Sequence, residues 1–184
     1  MYEELANYES SYFIMNIPTE ADLKINNMND TDFAIFFHEY IHFIQAITSF
    51  YGYSGIYSHG EYIRRVINDV YMKKNPVHVP INIEDKEDCV LLNKKISEFS
   101  LGDKGDRSNI FIINDVFIES CPLTETYQLK ELHIKALVDN KTEEIIVGAY
   151  AIRENMAYLL ERMCTTKYKS SAEFPYQIVE CLAK

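Results

Sequence analysis

Residues 33–51 read FAIFFHEYIHFIQAITSFY, and Glu39 is the only Asp, Glu, Lys or Arg among them. His38 and His42 flank it in the pattern HExxH. On a helix, positions i and i+4 lie about 40° apart and about 6 Å along the axis, so two imidazoles there can converge on one metal ion. Glu39 points roughly 100° away from His38, which puts it beside the metal, where a general base acts on a metal-bound water. With His38 at 0°, Ala34, Ile35, His42, Gln45, Ala46 and Ser49 fall within about 80° of it. The rest of the circumference holds Phe33, Phe36, Phe37, Tyr40, Phe43, Ile44 and Ile47. The helix is therefore apolar on most sides, with one narrow stripe of small and polar residues around the two histidines. A lone carboxylate inside such a helix is costly without a partner or a metal. The competing account makes His38 and His42 hydrogen-bonded core histidines, with Glu39 paired to a distant Lys or Arg.

The segment IFFHEYIHFIQ resembles the active-site helix of the zincin metallopeptidases. The metzincin extension is absent: Phe43-Ile44-Gln45-Ala46-Ile47 follows, and the next histidine is His59. The resemblance therefore points to the gluzincin-like branch, where a Glu on a later helix completes the site. Glu154, in GAYAIRENMAYLLE, is the best match for that third ligand. Ile152, Met156, Leu159, Leu160 and Met163 read as that helix's apolar stripe. Glu154 and Glu161, seven residues apart, share the opposite face with Tyr150, Ala157 and Tyr158, and Glu161 is expected to support the site from outside the ligand set.

Two imidazoles and one carboxylate make an open tetrahedral zinc site, whose water has a pKa near about 7. The expected chemistry is peptide-bond hydrolysis in a peptide or protein substrate, with Glu39 taking the water's proton. An oxyanion donor is also needed. Tyr150, Tyr158 and His133 are the candidates, and Tyr158 is the one assigned. Two rival readings remain. One is a catalytically inactive, zinc-stabilised binding or regulatory protein. The other is a metal-free acidic interaction module.

The elements around the motif follow from breakers and periodicity. A strand is expected over Ser11–Pro18. A long helix over Phe33–Phe50 is expected to be capped by Asp30 or Thr31 and ended by Gly52 and Gly55. Further helices are expected over Gly60–Lys74, Asp85–Phe99 and Ala149–Cys164, with a last one beginning at Pro175–Leu182. Leu101–Asn109 reads as a loop. Ile110–Glu119 is β-rich, and Leu132–Val147 reads as a hairpin turning at Asp139–Thr142. The fold class is thus α+β: a single, mainly helical, zincin-like domain over 1–184. A small antiparallel sheet or hairpin lies between the two ligand helices, and 75–147 is a candidate inserted subdomain.

Composition narrows the function further. The 184 residues carry 28 acidic and 18 basic side chains, a formal net charge of -10. That balance disfavours nucleic acid and anionic membrane surfaces as partners, since both require clustered Lys and Arg. No apolar run approaches the roughly 18 residues of a membrane span, and Met1–Tyr12 has no signal-like apolar region. Cys89, Cys121, Cys164 and Cys181 form no CxxC pair. Reduced thiols in a cytoplasmic protein are the expectation. Oligomeric state stays open.

Overall fold

The computed structural model describes residues 6–10, 12–17, 24–72, 95, 99–107, 111–120, 130–164 and 172–183. The HExxH helix, α1, spans Asp30–Thr48. Its cap is Asn29, one residue before the expected pair. Asn29 is extended (φ -74°, ψ 166°), and its side-chain oxygen accepts the N–H groups of Thr31 and Asp32, each at 2.9 Å. Asp30 and Asp32 then lie in the first turn, where carboxylates favour the helix dipole.

Ser49, not a glycine, separates α1 from α2 (Phe50–Met72). Its backbone is extended, and its N–H donates to the Gln45 carbonyl at 3.0 Å. Its hydroxyl donates to the same carbonyl at 2.6 Å and accepts the Gly52 N–H at 3.0 Å. One side chain thereby caps the end of one helix and the start of the next. The expected stops, Gly52 and Gly55, and the expected start, Gly60, all lie inside α2. Gly52 serves close packing, because a Cβ there would overlap the Ala46 backbone. The N-terminal strand also differs from expectation. It shrinks to β2 (Ile14–Asn16) and pairs antiparallel with β1 (Asn7–Glu9), which the sequence did not announce. This hairpin lies against α1, with the Tyr8 ring edge-on to Phe43 at 5.9 Å.

A three-stranded antiparallel sheet follows in the order β3 (Phe111–Ser120), β4 (Lys130–Val138), β5 (Lys141–Val147). Asp139 and Asn140 join β4 to β5 with φ of 49° and 65°, the left-handed pair that a tight two-residue hairpin requires. Ile134, Ala136 and Val138 alternate on the buried face, as the pattern implied. With Ile145 and Val147 they form the apolar core, closed by Ala151 of α3 (Ala149–Cys164), by Phe174, and by Ile178 of α4 (Ile178–Leu182). Both helix and antiparallel sheet are present, as the α+β class requires.

The 101–107 loop crosses the junction of β5 and α3 at Gly102 and Gly148, whose backbones touch so closely that neither site has room for a Cβ. The Asp103 N–H donates to the Ile146 carbonyl, and Leu101 offers its carbonyl to the Tyr150 N–H in the first turn of α3.

α3 turns the other way from its apolar pattern. Ile152, Met156, Leu159 and Met163 are exposed, while Ala151, Asn155, Ala157 and Tyr158 are buried. Polar contacts decide this. Asn155 donates to the Tyr176 carbonyl and to Glu180, and accepts the Val179 N–H, which locks α3 onto α4. Glu154 and Glu161 reach α1. A buried polar group left unpaired costs more than an exposed apolar one.

Most of the expected Asp85–Phe99 helix, and both Cys89 and Cys121, lie outside the described residues. Cys164 and Cys181 are free thiols. Among the described residues, no helix is long and apolar enough to cross a membrane.

Candidate metal centre

The cap at Asn29 and the break at Ser49 set the length and phase of α1, and the Asn155 contacts set the phase of α3. Where the two helices meet, the Nε2 atoms of His38 and His42 are 3.2 Å apart. Glu154 places Oε2 3.3 Å from His38 Nε2 and Oε1 3.2 Å from His42 Nε2. Zinc holds nitrogen and oxygen ligands at about 2.0–2.2 Å, so neighbouring corners of its tetrahedron are roughly 3.3–3.6 Å apart. The nitrogen–nitrogen edge is close to that spacing, while Glu154 meets the two imidazoles with different oxygens, so a small turn of the carboxylate would bring one oxygen to both; one donor atom from each residue lies within 4.8 Å of the others. Among the described residues, His38, His42 and Glu154 form a group able to hold a metal ion.

The far sides of the imidazoles are also engaged. His38 Nδ1 faces Glu161 Oε2 at 3.2 Å, and His42 Nδ1 faces Gln45 Oε1 at 2.9 Å. An imidazole that donates from Nδ1 turns a bare Nε2 toward a metal, and such outer contacts orient ligands at metal sites. Glu161 thus touches a ligand from outside the triangle.

The charges are strongly coupled. Burial works against an imidazolium at His38, but hydrogen bonds to Glu154 and Glu161 and the nearby Glu39 charge raise its pKa to about 9. Burial likewise works against the Glu154 carboxylate, yet its hydrogen bonds to His38 and His42 hold it at about 2. In the metal-free protein a proton on His38 therefore sits among the carboxylates. Glu39 is 7% exposed. Burial raises its pKa, the His42 and His38 charges pull it down, and Glu154 adds a further upward push; the net direction is up. Those neighbours belong to the cluster, and among the described residues no Lys or Arg forms an ion pair with Glu39.

The expected oxyanion donors part company here. Tyr158 is buried, with its ring 5.9 Å from Tyr176 and the Arg162 guanidinium 5.5 Å from its ring centre. Tyr176 in turn stands 6.3 Å from the His38 ring. Burial raises the Tyr176 pKa, and the charges of Asp106, Glu154 and Glu39 push it the same way. Tyr150 is raised by burial and then by Glu154 and Asp106. His133 lies on the sheet, between Glu144 and Glu131 and stacked on Phe117.

Sequence reading missed Tyr176, one of 14 tyrosines with no distinguishing spacing. It also assigned nothing to Gln45, although its place in the polar stripe one turn beyond His42 was a usable signal. A scan against protein-family models found no match, and neither curated protein sequences nor solved structures gave one.

Proposed function

We propose that the protein is a zinc-dependent metallopeptidase of gluzincin-like type that hydrolyses a peptide bond in a peptide or protein substrate. The observation that carries this reading is the convergence of two imidazole nitrogens and one carboxylate, with one donor atom from each residue within 4.8 Å of the others. Zinc in that cage supplies Lewis acidity to a carbonyl and lowers the pKa of a water. His38, His42 and Glu154 hold the ion. Glu39 receives the water's proton and passes it to the leaving amine; its buried position and raised pKa bring it closer to the range a general base needs. The oxyanion requires a neutral donor nearby. Tyr158 was assigned from the sequence; Tyr176, which stands between Tyr158 and His38 and keeps its proton to high pH, is the better placed of the two. The domain as a whole is read as zincin-like, and the protein as cytoplasmic.

The test is metal content and cleavage in one experiment. Protein purified without added zinc is expected to carry about one zinc per chain and to cleave members of a mixed peptide library. Glu39→Gln is expected to keep the zinc and lose about 10²- to 10⁴-fold in cleavage rate. Bound zinc with no cleavage by the wild type would leave a zinc-stabilised binding protein. Absence of zinc would remove both readings.

A further inference from the structure

The two imidazoles are supported differently. His38 turns Nδ1 to a carboxylate, Glu161, whereas His42 turns Nδ1 to a neutral amide, Gln45. Gln45 is 3% exposed and fully engaged. Its amide nitrogen donates to the Arg153 carbonyl at 3.1 Å, and its oxygen accepts the Arg153 Nε–H at 3.3 Å as well as facing His42. Turning the amide over would set its NH₂ against the Arg153 N–H and its oxygen against the Arg153 carbonyl, two repulsive contacts in place of two hydrogen bonds. The oxygen is therefore held toward His42 by partners on the other helix.

An oxygen at that position accepts a hydrogen bond and cannot give one. The Nδ1 of His42 must carry a proton, so whenever the ring is neutral it is Nε2, on the side of Glu154 and His38, that holds the lone pair. Arg153 is also the residue immediately before Glu154, so the Gln45–Arg153 pair of hydrogen bonds ties the His42 turn of α1 to the Glu154 turn of α3. We infer that Gln45 is a positioning residue: with Arg153 it selects the metal-binding tautomer of His42 and holds the spacing of α1 and α3, so the ligand triangle exists before a metal arrives. This rests on the reading of His38, His42 and Glu154 as zinc ligands.

The experiment uses the full chain with ¹⁵N-labelled histidine, and zinc itself as the probe. In the metal-free wild type at mildly alkaline pH, the His42 ring nitrogens are expected to report a proton on Nδ1 and none on Nε2. In Gln45→Leu the two tautomers mix, and zinc affinity, read by competition with a chromophoric chelator, falls about 10- to 100-fold. Gln45→Glu keeps an acceptor beside His42 and faces Arg153 with an opposite charge. It should retain the wild-type tautomer while losing the donor to the Arg153 carbonyl, and its zinc affinity should fall between the other two. A wild-type His42 protonated on Nε2 overturns the inference. So does a Gln45→Glu protein with mixed tautomers, or a folded Gln45→Leu protein whose tautomer and zinc affinity stay within twofold of wild type. Because the tautomer is read without metal, a wild type that binds no zinc sinks the peptidase reading separately, and the ring signals still decide the hold of Gln45 on His42.

Discussion

Among the described residues, two places hold a histidine between two carboxylates, half-buried at His38 and buried at His133. At the α1–α3 contact, His38 lies between Glu161 on Nδ1 and Glu154 on Nε2. On the sheet, His133 lies between Glu144 on Nδ1 and Glu131 on Nε2. Local chemistry is almost the same. The difference is a second imidazole: His42 brings its Nε2 to the point where His38 and Glu154 already meet, whereas the two partners of His133 sit on opposite ring nitrogens with no common focus. A metal needs several lone pairs aimed at one point, so acid around a histidine is not enough. The sheet cluster is a hydrogen-bonded cross-strand group, with Phe117 stacked on the ring. The helix cluster is a group that could hold a metal ion.

Removing a corner of that group is the strongest way to test the contrast. His42→Ala is expected to reduce zinc to background in elemental analysis; a variant that keeps stoichiometric zinc would show that the ions bind elsewhere. A smaller effect is expected one shell out. Glu161→Gln keeps an acceptor at His38 Nδ1 but removes its charge, and zinc affinity should fall about 10- to 100-fold in a chelator competition. An unchanged affinity would make Glu161 no more than a surface neighbour of the site.

Acidity probes the same group without mutation. His38 is raised from 6.5 to about 9, so the stabilisation its proton contributes is complete below 6.5 and is lost as pH rises through about 9. Glu154 is lowered from 4.5 to about 2, so its contribution is present above 4.5 and is lost as pH falls toward 2. Near neutral pH, zinc must displace the His38 proton, and roughly one proton should be released per ion bound. The His38 share of the release should disappear once the pH exceeds about 9, leaving only the proton given up by a zinc-bound water. Calorimetry in buffers of different ionisation enthalpy reads this directly, and release independent of pH would contradict the assignment. The smallest change belongs to the sheet. His133→Gln should leave zinc binding untouched and cost about 1 kcal/mol of stability, seen in denaturant melts. A loss of zinc there would erase the distinction between the two clusters.

How much of this was legible beforehand depends on the range of the interactions. The β4–β5 hairpin was readable because Asp139-Asn140 and the alternation of Ile134, Ala136 and Val138 are local signals. The Ala149–Cys164 helix is legible residue for residue, yet four of the five residues of its apolar stripe, Ile152, Met156, Leu159 and Met163, are exposed, because Asn155, Glu154 and Glu161 outrank them through partners far away in the chain. The α1–α2 break was misplaced because glycine usually marks a helix end, whereas here a doubly bonded Ser49 makes the break and Gly52 makes room for Ala46.

Read alone, the sequence determined which atoms are available: two imidazoles one helical turn apart, a single carboxylate between them, and a later helix carrying Glu154 and Glu161 on one face. Helical geometry makes that much certain, since spacing of four residues acts within one element. The resemblance named Glu154 and set Glu161 aside from the ligands; only the tertiary structure brought the Glu154 carboxylate to both imidazoles and Glu161 to the far side of His38, tied the helices through Gln45 and Arg153, and stood Tyr176 at the site. Those choices depend on how two helices more than a hundred residues apart are rotated against each other, and that rotation is set by buried hydrogen bonds whose partners no local pattern can name.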